Sequence, residues 1–110
     1  MILATTEAIP GKRIVAVLAI TLLSACTVPR LSPDATGAQV FETICARCHG
    51  KDLGGGIGPS LGPGSEAATM TDEFYRFTII HGLGRMPSFR STLTDAQIER
   101  VIVYIRQQQG

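Results

Sequence analysis

The five residues Cys45-Ala46-Arg47-Cys48-His49 have the types and spacing most able to do chemistry in this chain of 110 residues. Two thiols separated by two residues, with a histidine directly after the second, read as covalent haem attachment. Each thiol must add to one of two vinyl groups along one side of a porphyrin, and the two intervening residues set that separation. His49 can then swing under the iron as proximal ligand. Three other uses of these side chains compete. A thioredoxin-like redox pair would need strands, with a helix beginning at the motif. A zinc site could add His81 to Cys45, Cys48 and His49, although adjacent Cys48 and His49 chelate one ion awkwardly and the spacing matches no common zinc pattern. A structural disulfide is the third use, in an oxidising compartment.

A haem iron held by His49 needs its other axial ligand from further along the chain. Met70, His81 and Met86 are the candidates. Met70 stands just before a helix and reads as packing. His81 ends that helix, where a cationic side chain suits the dipole. Met86 lies in Gly84-Arg85-Met86-Pro87, an irregular segment stiffened by proline. A loop can aim a side chain where no helix face can, and a thioether is a soft ligand suited to low-spin haem iron.

The elements that must position these residues are helical. Ser32-Pro33 looks like an N-cap followed by Pro at the first helical position. Gly37, Val40, Phe41 and Ile44 follow at helical spacing, and the helix runs into the cysteine motif and stops at Gly50. Residues 50–69 hold seven glycines with Pro59 and Pro63, which demands a loop. So long a loop in a small domain needs something to wrap around, and a haem supplies it. Thr71 caps a second helix that ends at Gly82, with Phe74, Phe77 and Thr78 on one side. A further loop spans Gly84 to Thr92. Thr94-Asp95-Ala96-Gln97 forms a capping box for the last helix, whose stripe is Ile98, Val101, Ile102 and Ile105, widened by Tyr104. No strand pattern occurs, so the fold class is all-α.

The N-terminal part has a different character. Lys12 and Arg13 precede the apolar run Ile14–Leu23, and Ser24 and Ala25 lead to Cys26. This describes a secretory signal peptide, whose apolar run is shorter than the roughly 20 residues that cross a bilayer. Leu23-Ser24-Ala25-Cys26 also resembles the bacterial lipobox, which implies cleavage before Cys26 and its acylation. The expected organisation is a signal peptide over 1–25, a tether over 26–33 and a domain over 34–110. From Cys26 onward eight Arg and Lys residues balance eight Asp and Glu residues. Such a balance lacks the clustered positive face that nucleic acid requires. A domain of this size with 5% aromatics and no Trp has a thin core, which a covalent cofactor would staple.

Several motifs fall in one order: Phe41-x-x-x-Cys45-Ala-Arg-Cys48-His49-Gly50, Gly58-Pro59-Ser60-Leu61, Met86-Pro87-Ser88-Phe89, Leu93-Thr94-Asp95 and Val103-Tyr104-Ile105. Over most of residues 35–107 the chain resembles a bacterial class I c-type cytochrome. The resemblance implies a cytochrome c fold, with three to four short helices and long Gly-rich loops wrapped around one covalently bound haem c. It implies His49 and Met86 as the axial pair, with Pro59 and Leu61 among the haem-contacting residues. It also implies that the carbonyl of Pro59 accepts from His49, and that the first and last helices cross tightly at Gly37, Phe41 and Tyr104. Gly54-Gly55-Gly56 departs from the pattern and could suggest a phosphate cradle. It precedes no helix N-terminus and has no lysine beside it.

The function these readings imply is one-electron transfer without catalysis, between exported or membrane-bound redox partners such as a dehydrogenase, an oxidase or another cytochrome. A six-coordinate iron with sulfur ligation has no free site for substrate and favours the reduced state. A competing class is an enzyme or gas sensor in which Met86 is displaced; carbon monoxide binding discriminates the two. A third is a haem subunit held permanently by a dehydrogenase or oxidase. The expected location is the periplasmic side of a bacterial membrane, with the lipid on Cys26 as anchor.

Overall fold

A computed structural model describes residues 30–110; Cys26 and the signal segment lie outside the described residues. Leu31–Gly110 form one compact unit. It begins with a helical rod in three parts: α1 (Gly37–Val40), a π-helical turn (Phe41–Cys45) and α2 (Ala46–His49). Then come α3 (Asp72–His81) and α4 (Asp95–Gln109), with a short 3-10 turn over Ala67–Thr69. No strand occurs among the described residues beyond one isolated bridge between Leu83 and Met86. The architecture is the expected all-α one.

The first cap differs from the expectation. Ser32-Pro33 forms a turn, and α1 is capped by Thr36. The Thr36 Oγ1 accepts from Gln39 N at 3.1 Å, and Gln39 Oε1 accepts from Thr36 N at 2.9 Å. This reciprocal pair satisfies two end groups, which Ser32 alone does not achieve. Instead the Ser32 and Pro33 carbonyls accept from Gln97 Nε2 and Arg100 Nη2, at 3.0 and 2.8 Å. The segment ahead of α1 is thereby bound to α4.

The π turn was not legible from the spacing. It adds one residue to a turn of the rod and shifts its apolar stripe. Val40 and Phe41, upstream, are fully buried, whereas Cys45, Cys48 and His49, downstream, face a cleft. Against α4 the rod crosses as expected. A Cβ on Gly37 would collide with the Arg100 carbonyl and stand 2.8 Å from Tyr104 Cβ. Phe41 and Tyr104 meet with ring centroids 5.5 Å apart.

The core lies between the rod, α3 and α4. Ile98, Val101, Ile102 and Ile105 are buried, as their periodicity predicted. On α3 the buried residues are Tyr75 and Ile79. The predicted face is split: Phe74 and Thr78 line the cleft, while Phe77 is 60% exposed and stacks on His81. Arg106 closes the far end, pairing with Asp72 at 2.7 Å and lying over the Tyr75 ring. The Tyr75 hydroxyl donates to Ala67 O, and Gln109 Nε2 donates to Leu61 O. These bonds tie the glycine-rich loop to both later helices.

Candidate haem site

The motif cysteines sit on the last turns of the rod. Neither is joined in a disulfide. Burial, with Cys48 beside it, pushes the Cys45 thiol up to about 12. A dithiol that exchanges disulfides needs the opposite, a lowered thiol pKa, so this environment disfavours the thioredoxin-like reading. His81 does not line the cleft, and no group of three or more His, Cys, Asp or Glu side chains gathers for a metal among the described residues. The zinc reading therefore lacks its fourth donor.

His49 is buried at the end of α2. Its Nδ1 donates to the Pro59 carbonyl at 2.8 Å, as the resemblance implied. A carbonyl only accepts, so this bond puts the proton on Nδ1 and leaves the Nε2 lone pair available. Such a partner also fixes the ring and raises its donor strength.

The loop that delivers Pro59 folds back on the motif. Gly58 N donates to Cys48 O at 2.7 Å, and Gly55 N donates to His49 O at 2.8 Å. Gly54 N bonds Asp52 Oδ1, and Gly56 N bonds Gly58 O. The amides of the glycine triplet are thus spent inside the loop, which disposes of the phosphate cradle. Leu53 anchors the loop. It is buried, holds a left-handed backbone at φ 64, and its carbonyl accepts from Leu61 N at 2.8 Å and Ser60 Oγ at 3.1 Å. Nothing in the sequence marked Leu53 for this, because its hydrogen bonds come from residues seven and eight places on.

Gly58 has a second task. A Cβ there would stand 2.9 Å from His49 Cε1 and 3.0 Å from Nδ1. Gly58→Ala is expected to displace the imidazole and weaken its bond to Pro59. The predicted cost is about 1–3 kcal/mol of stability, the range for overpacking. A reduction potential above wild type should accompany it, since a poorer donor stabilises ferric iron less. Thermal melts and potentiometry of the holoprotein would check both.

Met86 lines the same cleft from the last loop. Its loop is pinned at several points: Leu83 and Met86 exchange backbone bonds at 3.0 and 2.9 Å, and Phe89 N donates to Ile79 O at 2.9 Å. Ser88 Oγ donates to Ile80 O. At Gly82, φ is +80 and a Cβ would meet the Met86 carbonyl at 2.6 Å, so only glycine lets the loop double back so closely.

The cleft has an empty volume of about 1050 Å³, its open mouth included. Ile44, Cys45, Cys48 and His49 line it from the rod, and Pro59 and Leu61 from the loop. Met70, Phe74, Tyr75, Thr78 and Ile79 add the α3 side, Met86 and Phe89 the last loop, and Ile105 the floor. Every residue predicted from the sequence within the described part is here, and Met70 shares the wall. Arg85 is the one Lys or Arg among the lining residues. Two thiols on one edge, an imidazole with a free Nε2, a thioether and an otherwise apolar wall fit the donor set and shape of a haem.

A family model described as "Cytochrome C oxidase, cbb3-type, subunit III" matches residues 32–105. The chain belongs to the class I c-type cytochromes. It is 37% identical over 106 residues to cytochrome c6 of Thermosynechococcus vestitus, covering 88% of this chain and 92% of that one. The cytochrome bc1 complex cytochrome c subunit of Mycobacterium tuberculosis is 33% identical over 78 residues, 68% of this chain and 28% of its own. Among solved structures, the c-type cytochrome NirC superposes with a TM-score of 0.56 at 26% identity, over 64% of this chain and 85% of that one. The dihydro-heme d1 dehydrogenase NirN gives a TM-score of 0.61 at 29% identity, over 69% and 16%. This protein is a monohaem cytochrome with covalently bound haem c, and it transfers electrons without being an enzyme.

Proposed function

We propose that the haem is held by thioether bonds from Cys45 and Cys48, with His49 and Met86 as axial ligands. The observation that carries this reading is the bond from His49 Nδ1 to Pro59 O, in a cleft that Met86 also lines. When bound, the haem supplies a one-electron ferric/ferrous couple. The chain's own residues do the rest. Pro59 orients the imidazole, Leu61 and Ile105 pack against the porphyrin space, and the apolar wall excludes water. Exclusion of water and neutral sulfur ligation both favour the reduced form. With His49 and Met86 both holding the iron, no ligand would need to be gained or lost on taking up an electron, so reorganisation would be small.

The pyridine haemochrome spectrum tests the attachment: two thioethers give a c-type absorption maximum, and one thioether gives a red-shifted one. An unshifted b-type spectrum, with haem extractable by acidic acetone, would overturn it.

The protein works outside the cytoplasm, carrying electrons between membrane-bound or exported partners. Supporting this are the signal-like segment and the need for haem attachment. Among the described residues, no helix is long and apolar enough to cross a membrane. The anchor is instead an acyl group on Cys26, with a second acyl chain needed for stable attachment. Intact-mass analysis of the membrane-extracted protein should show lipid on a chain that begins at Cys26. A lipid-free mature form would remove the anchor and leave the electron-transfer reading standing.

A further inference from the structure

The two ends of the Met86 loop are joined by a side-chain contact that the haem chemistry does not require. His81 closes α3 just before Gly82, and Arg90 follows Phe89 at the other end of the loop. Arg90 Nη2 lies 3.0 Å from His81 Nε2. His81 Nδ1 lies 2.9 Å from the Phe77 carbonyl, and the two rings stack at 4.1 Å. The carbonyl can only accept, so Nδ1 carries the proton. Nε2 is then the lone-pair atom and accepts from Arg90. Only neutral His81 can make both bonds at once.

We propose that His81 and Arg90 form a clasp that positions the Met86 loop, and that protonation of His81 opens it. A proton on Nε2 removes the acceptor and places two cations against each other. The loop then keeps its backbone ties and the Ser88 bond to Ile80 O, and the thioether leaves the cleft more often. Histidine is the side chain whose charge changes within the physiological pH range. The other charged groups nearby do not compensate. Asp95, from the start of α4, lines a hollow with Ile80 and Arg90 and makes no ion pair with Arg90. Arg76, on the same helix, is paired with Glu99. Arg85 lines the haem cleft. A His81 variant separates protonation at this site from titration elsewhere in the holoprotein. The contact is exposed, so the effect is a modest bias on the loop and not an all-or-none switch.

This inference rests on Met86 being the distal ligand. The test is the affinity of the reduced holoprotein for carbon monoxide, a neutral ligand that binds only when the loop opens. Between pH 8 and pH 5 the wild-type affinity should rise by roughly three- to tenfold, the worth of one hydrogen bond exchanged for a screened repulsion. His81→Gln can still accept from Arg90 and cannot gain a proton, so its affinity should stay low and flat. His81→Ala should bind at pH 8 more tightly than wild type does at that pH, and should show no further rise at pH 5. A flat wild-type profile, or a rise that persists in His81→Gln, would overturn the clasp. Met86→Ala separates the two levels: if it binds carbon monoxide no more tightly than wild type, the distal-ligand reading fails and takes the clasp with it.

Discussion

Replacing Cys45 and Cys48 together by alanine is expected to leave an unfolded chain without haem, and either single change to reduce the holoprotein severely. The reason lies in what surrounds the cleft. Ile44, Leu61, Phe74, Ile79, Met86 and Ile105 all present apolar surface to it. Without a porphyrin that surface is wet, and the remaining core is the seam of the rod and α3 with α4. A domain this small draws no more than about 3–5 kcal/mol from a single core. A cofactor bound at a thousand times its dissociation constant adds about 4 kcal/mol, and a covalent one cannot dissociate. The loop from Gly50 to Gly64 compounds the loss, because ordering its glycines has an entropic cost that only packing offsets. Haem content would be read from the Soret absorbance, and folding from circular dichroism. A cooperative helical melt in the double variant would show that the core suffices alone.

The second large effect is expected at Met86. Met86→Ala should abolish the long-wavelength sulfur-to-iron band of the ferric protein and open the iron to carbon monoxide and imidazole. It should also lower the potential, by an appreciable part of the roughly 0.8 V that axial ligands span. Met86→His should keep the iron six-coordinate at lower potential, since imidazole donates more strongly to ferric iron. Met70 is the control. It lines the same cleft, yet its backbone carbonyl is held by Arg106 at the start of α3. Met70→Ala should leave the band, the potential and the ligand affinity unchanged. If Met70→Ala removes the band and Met86→Ala does not, the ligand has been assigned to the wrong thioether. A spectrum altered only by His81→Ala would instead mean bis-histidine ligation, and the clasp to Arg90 argues against that arrangement.

Local chemistry was legible from residue types and short spacings. The caps at Thr71 and Thr94, the stops at Gly50 and Gly82, and the stripe on α4 depend on neighbours within a turn or two, and each stands where the pattern put it. The Cys-x-x-Cys-His motif belongs to the same class, because its spacing is dictated by the porphyrin and not by the fold. The tight crossing at Gly37 and the bond from His49 to Pro59 were legible only through resemblance to a family.

Tertiary structure decided what depends on distant partners. Ser32 lost its predicted cap because Gln97 and Arg100, more than sixty residues away, bind the carbonyls of that turn. Phe77 shares one side of α3 with Phe74 and Thr78, yet spacing does not say what that side meets; Phe74 and Thr78 line the cleft, Phe77 is exposed, and the core takes Tyr75 and Ile79. The π turn arises where the rod must serve two surfaces, α4 upstream and the cleft downstream, and no residue type encodes that compromise. Leu53 and Gly58 acquire their tasks from the return of the loop onto His49. Residue chemistry thus determined which atoms would meet a haem, and long-range packing decided how they are held.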